Sequence, residues 1–386
     1  MKNLYIAKKH WNRNDNEMVE NVNIKGKYPN LIDFGLGDPD LTTDKRISQK
    51  AFVDALSGHT HYSEDLGYLE LREEISSYYR DEFNYHVNVD EIMVTTGSAH
   101  GMWLALTGIL DPGDEVIIPT PHYTTYPGQV ELTGGKAVFL PLYEDENFRI
   151  DTERLESLIS SRTKAIILNF PHNPTGTMID RSSLERIGDI CEKHDLLIIA
   201  DEVYTIYNYD QEFIPVTTLD NLKRRTITLA SFSKDFAMAG WRVGYILAED
   251  YFIDLFKYIN EYNVYSAPSV SQRAALHALK YRKSVQKELR DEFRRRLFYG
   301  YDRLKNMKNI RIKEPQGAIF LFPNIEETGL SSEELARILL EEAHILVIPG
   351  TKFGNAGKGF LRLSCSVDMD KMREGFNRME RLSIFR

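Results

Sequence analysis

The chain has 386 residues, 42% hydrophobic and 27% charged. That balance excludes a disordered chain, a collagen-like repeat and a coiled coil, and a span of ~150 residues per domain points to two domains. Acidic residues outnumber basic ones 57 to 48, for a net charge of −9, so there is no global basic field for nucleic acid or anionic lipid.

The N-terminal stretch, "MKNLYIAKKHWNRNDNE", turns polar within a few residues and lacks the apolar core of a signal peptide. No apolar run approaches the ~18 residues a membrane helix needs. Cys191 and Cys365 are far apart and form no CxxC pair, so neither a disulfide framework nor a Cys-rich zinc site is expected. The histidines are scattered without HExxH, and metal chemistry is not expected either. The expected location is a reducing cytoplasm.

From about residue 90 to 250, short β-branched runs alternate with amphipathic stretches. The runs are Ile92–Thr95, Glu115–Pro119, Lys136–Leu140, Ala165–Asn169, Leu196–Ala200, Thr226–Ala230 and Arg242–Leu247. Most are continuously apolar, as strands covered on both faces are. Helical patterns such as "SAHGMWLALTGIL" and "RSSLERIGDICEKH" lie between them. Strand–helix alternation predicts an α/β layer structure around a mostly parallel, seven-stranded sheet. Beyond residue 250 a long charged helix, Ser284–Met307, leads into short elements at Ala318–Phe322, Ser331–Ala343, Ile345–Ile348 and Phe360–Ser364. This reads as a smaller α+β domain. The predicted division is 46–280 for the large domain, with 1–45 and 281–386 forming the small one.

Ligands of open parallel sheets sit at the carboxyl ends of strands. Three such ends are polar here: "NFPHNPTG" (169–176), "DEVY" (201–204) and "SFSKDFAMAGWR" (231–242). Singly they read as a turn, a helix cap and a solvated lysine. Together with "GLGDPD" near residue 37, "YSEDLGYLELR" from Tyr62, "TTGSAHG" and "FLRLSCS" around Arg362, the chain closely resembles the class I/II aminotransferases, pyridoxal-phosphate enzymes of fold type I.

The resemblance implies the following roles. Lys234 forms the aldimine with pyridoxal 5'-phosphate and then moves the substrate's α-proton. Asp201 holds the proton on the cofactor's ring nitrogen. Tyr204 and Asn173 serve its phenolic oxygen, and Tyr123 stacks on its ring. The phosphate falls to Ser98 and Ala99 at a helix start, to Ser231, Ser233 and Arg242, and to Tyr62 of a neighbouring subunit. A site shared in this way requires a homodimer. Arg362 takes the substrate's α-carboxylate bidentately, with Gly37 and Asn173 completing that pocket.

The implied function is ping-pong transfer of an amino group from an L-α-amino acid to a 2-oxo acid. The alternative is β-elimination of the cysteine-S-conjugate lyase type on the same scaffold. The match thins where family members read the substrate's side chain. Ala99 stands where some aspartate-type members have lysine, and "NVYSAPSVSQ" offers no arginine before Arg273.

Overall fold

The computed structural model describes residues 30–386, together with positions 5–7, 10, 24, 27 and 28. About half of the N-terminal segment assigned to the small domain, all of it before residue 30, lies outside the described residues. Strand β1 (Ile32–Asp33) opens the described chain. The seven strands of the central sheet follow: β2 (Ile92–Thr95), β3 (Glu115–Thr120), β4 (Lys136–Pro141), β5 (Thr163–Asn169), β6 (Leu197–Glu202), β7 (Thr226–Ser231) and β8 (Gly244–Leu247).

Their order is β2-β8-β7-β6-β5-β3-β4. The run from β7 to β4 is parallel, and β8 is antiparallel to both its neighbours. The predicted sheet is thus present and mostly parallel. Its strands are apolar throughout because both faces are covered. On one face Met102 and Leu106 of the helix Ser98–Ile109 and Phe256 of the helix Asp250–Glu261 pack on Ile227 and Ile246. On the other, Leu184, Ile187 and Cys191 of the helix Arg181–Lys193 pack on Ile166 and Ile198.

Three strand boundaries differ from the sequence reading in ways that matter. β6 runs on through Asp201 and Glu202, and β7 through Ser231, so these polar residues belong to the strands themselves. Arg242, read as the start of the last strand, instead adopts a left-handed backbone (φ 51°) ahead of β8.

The remaining strands are short: β9 (Phe320–Leu321), β10 (Ile345–Leu346), β11 (Ile348–Pro349) and β12 (Leu361–Ser364). β12 lies between β11 and β9, antiparallel to both, with Arg362 opposite Ile348. β1 pairs in parallel with β10 and so ties the 32–37 stretch to this second layer. The long helix is Arg282–Lys305. The helix Ser332–Ala343 starts with a capping box, in which the Glu334 amide donates to Ser331 Oγ (3.2 Å). Leu297, Leu335, Leu339, Leu363 and Phe376 form the core of this part.

Candidate active site

The carboxyl ends of β5, β6 and β7 and the start of the helix Ser98–Ile109 make one wall of a cleft of about 670 Å³. The 35–38 stretch, Phe320, Ile348, Phe353 and Arg362 make the other. Twelve of the thirteen residues singled out in the sequence line it: Gly37, Ser98, Ala99, Tyr123, Asn173, Asp201, Tyr204, Ser231, Ser233, Lys234, Arg242 and Arg362. Tyr62 does not. It stands 85% exposed on a surface loop, with its ring against Tyr265.

Lys234 sits in a single helical turn, Phe232–Asp235, that β7 leads into directly. Ser231 Oγ caps the turn by accepting from the Ser233 amide (3.1 Å). The Lys234 ammonium donates to the carbonyl of Gly37 (2.7 Å). Burial pulls its pKa down to about 8; Asp38 opposes this, and Arg242 and Arg362 reinforce it.

Asp201, at the end of β6, is buried. Its Oδ2 accepts from Tyr126 Oη (2.5 Å), while Oδ1 accepts no hydrogen bond among the described residues. Burial raises its pKa to about 6, against the lowering pull of the Tyr126 hydroxyl. Asn169 Nδ2 donates to the Asp201 carbonyl (2.8 Å), and its Oδ1 accepts from the Asn173 amide (3.1 Å), which locks the Asn-Pro-Thr-Gly turn to β6. Burial pushes the Tyr204 phenol well above its ordinary range.

Gly97, at φ +85°, leads into the helix Ser98–Ile109, and a Cβ there would stand 3.0 Å from Arg242 Nη2. Only glycine lets the helix start and this guanidinium lie so close. The result is a helix N-terminus, two hydroxyls (Ser231 and Ser233) and an arginine along one cleft, a donor set suited to a phosphate dianion.

Across the cleft, the buried Arg362 guanidinium lies over the rings of Phe320 (4.7 Å) and Phe353 (5.0 Å). It donates to the Gly35 carbonyl and, at 3.4 Å, to Asn173 Oδ1. Its fork is thereby held in plane toward the site.

The family model for "Aminotransferase class I and II" matches residues 29–379. The chain belongs to this family. The aminotransferase is 37% identical to the aromatic-amino-acid aminotransferase 2 of Thermococcus litoralis, over 91% of each chain. It is also 37% identical to the aspartate aminotransferase of Pyrococcus abyssi, over 96% of each. Among solved structures it resembles the aromatic aminotransferase of Pyrococcus horikoshii OT3, with a TM-score of 0.89 and 36% identity over 93% of this chain and 97% of the other. The β-elimination reading finds no support in these relatives.

Sequence reasoning missed several residues of this aminotransferase's cleft. Tyr126 holds Asp201; the only signal for it was a second tyrosine in "TPHYTTYP". Phe320, in the predicted run Ala318–Phe322, and Phe353, in a turn too short to read, both stack on Arg362, a contact that no local pattern shows. Asp235 is buried, accepts from Thr205 Oγ1 and faces the amides of Thr205 and Ile206. It thereby ties the turn carrying Lys234 to the turn after Tyr204. Burial raises its pKa to about 7, against the Thr205 hydroxyl.

Proposed function

We propose that this cleft binds pyridoxal 5'-phosphate and that the aminotransferase uses it to move an amino group from an L-α-amino acid to a 2-oxo acid. One observation carries the reading. A buried carboxylate with one oxygen left over among the described residues, Asp201, shares a cleft with an amine whose pKa burial brings down to about 8, Lys234.

When bound, the group supplies an aldehyde that takes up amines and a ring that withdraws electrons from the carbon beside the nitrogen. The residues present fit it. Asp201 Oδ1 is the acceptor available for a protonated ring nitrogen, and that cation in turn stabilises the carboxylate. Ser98, Ala99, Ser231, Ser233 and Arg242 hold the phosphate, Tyr123 covers the ring, and Tyr204 with Asn173 donate to the phenolic oxygen. Arg362 receives the substrate's α-carboxylate beside Asn173 and Gly37, which fixes the α-carbon near Lys234. Lys234 would hold the aldehyde and, once free of it, would take the substrate's α-proton and hand a proton back. An amine whose pKa is near 8 suits both tasks at neutral pH.

The same reading makes the protein a homodimer with shared sites, in which Tyr62 serves the phosphate of the second copy. What supports it is exposure on the segments that lead to Tyr62 and to its ring partner Tyr265: Phe52, Leu56, Tyr258 and Tyr262 are exposed as well. A monomer leaves so many large apolar side chains in water at a cost. It also divides the chain at residues 45 and 280 and places it in the cytoplasm, where the two buried, unpaired cysteines stay reduced.

The test is chemical trapping. Borohydride reduction of the loaded protein is expected to fix the cofactor to the peptide containing Lys234, and Lys234→Ala is expected to lose at least about 10⁴-fold in turnover while still binding it. Label on any other peptide overturns the assignment. Mixing Tyr62→Phe with Lys234→Ala subunits is expected to restore activity through one intact site per hybrid; no restoration, with subunit exchange demonstrated, overturns sharing.

A further inference from the structure

Among the described residues three cations line the cleft: Lys234, Arg242 and Arg362. Each has a task in the reading above, on which this inference rests: the aldehyde, the phosphate and the α-carboxylate. None is left for a second carboxylate on the substrate. The segments around Tyr62 and its ring partner Tyr265, which on that reading a second copy brings to the mouth, supply no permanent cation: their basic side chains are His59, its ring edge-on to Tyr68, and His61. Residues 57–68 and 258–272 contain neither lysine nor arginine. Arg273, the next arginine along, is buried, 2.6 Å from Asp54 and paired with Glu70. Lys257 is 3.1 Å from Asp65.

The rest of the lining points the same way. Asp38 adds a negative charge at the rim, near enough to act on Lys234. Apolar surface comes from Leu36, Met102, Ile348 and Phe353. Leu36 lies between two glycines whose absent side chains leave the wall thin: a Cβ on Gly35 would stand 3.2 Å from Ile348 Cδ1, and one on Gly37 would stand 3.1 Å from the Phe320 ring.

We propose that the site takes α-amino acids whose side chains carry no negative charge, aliphatic or aromatic ones, and that Asp38 is the residue that turns dicarboxylates away. A carboxylate drawn out of water without a counter-charge is strongly disfavoured, and a like charge beside it adds to the penalty. An apolar side chain gains by leaving water for the same surface.

The test uses the holoenzyme and two carboxylates without an amino group, 3-phenylpropionate and succinate, with binding read by titration calorimetry. Their affinities do not depend on turnover. 3-Phenylpropionate is expected to bind at least about 100-fold more tightly. Asp38→Asn is expected to narrow that gap about tenfold by improving succinate. Succinate binding as well as 3-phenylpropionate overturns the proposal and leaves transamination standing. An unchanged gap in Asp38→Asn overturns the part assigned to Asp38. If neither compound binds, the proposal falls together with the Arg362 pocket. A panel of amino acids in the half-reaction, run alongside, then shows whether transamination has fallen too.

Discussion

Asp201 and Glu202 are neighbours at the end of one strand, and they face opposite sides of the sheet. On the cleft side, Asp201 has a hydroxyl partner on one oxygen and none on the other. On the far side, Glu202 Oε1 accepts from the Val216 amide (2.8 Å), and its Oε2 also lacks a partner among the described residues, against a small apolar pocket lined by Leu168, Phe170 and Ile214. Burial raises both pKa values, to about 6 for Asp201 and to about 8 for Glu202. The difference lies in what each carboxyl can meet. Asp201 looks into a space that admits a cationic ligand, so its charge can be compensated. Among the described residues Glu202 faces apolar side chains, and burial favours its protonated form. A strained polar group marks a site only where something can reach it.

The largest effect is expected at Asp201. Asp201→Ala at saturating cofactor is expected to lower kcat about 10²–10³-fold, with Asp201→Glu falling between it and the parent protein. Glu202→Gln keeps the acceptor for Val216 and is expected to leave kcat within about twofold. If the two losses were similar, the contrast between the faces would be broken.

Asp235, one residue past Lys234, sharpens the comparison because it is buried behind the cleft and touches neither face's ligand space. Asp235→Ala is expected to cost about tenfold in kcat by loosening the Lys234 turn, from one or two hydrogen bonds of ~0.5–1.5 kcal/mol each. Asp235→Asn, which can still accept from Thr205, is expected to recover most of it. Steady-state kinetics between pH 6 and 9 checks both; equal losses in the two variants would remove the positioning role.

The smallest effect on activity is at Glu202, where the change is one of stability. Folded Glu202 holds its proton to about pH 8, whereas an unfolded glutamate releases it near pH 4.5. The folded state therefore binds the extra proton between those values, and stability falls as pH rises, by up to about 1.4 kcal/mol per pH unit. Glu202→Gln removes that slope. Thermal melting of parent and variant is expected to agree near pH 4.5 and to diverge steadily, with the variant more stable, up to pH 8. Parallel curves would mean that Glu202 is ionised in the fold.

Much of this arrangement is legible in the sequence. Continuous apolar runs mark strands covered on both faces, and the polar residues that end them are the ones that line the cleft. Lys234, Asp201 and Asn173 could be read because each follows or ends such a run. Arg362 was legible through family resemblance; the short run Phe360–Ser364 marks its strand but not its task. What stayed hidden depends on contacts between distant segments. Nothing local distinguishes Tyr126, which meets Asp201 across 75 positions, from Tyr123. Asp235 looks like a solvated neighbour of a lysine until Thr205 is seen to cover it. Nor does any local pattern show that Arg273, the first arginine after "NVYSAPSVSQ", is taken up by Asp54 and Glu70.

The hydrogen bond from Arg362 to the Gly35 carbonyl joins residues 327 positions apart, and β1 waits likewise for β10. A ribosome adding about 5–20 residues per second needs roughly 15–65 s to cover that distance. During that interval the newborn chain can already form the sheet that carries Asp201 and Lys234, while the opposite wall has yet to be synthesised. The ring of Tyr204, which Phe320 meets in the finished molecule, is then open to water and to any chaperone that binds exposed aromatic surface.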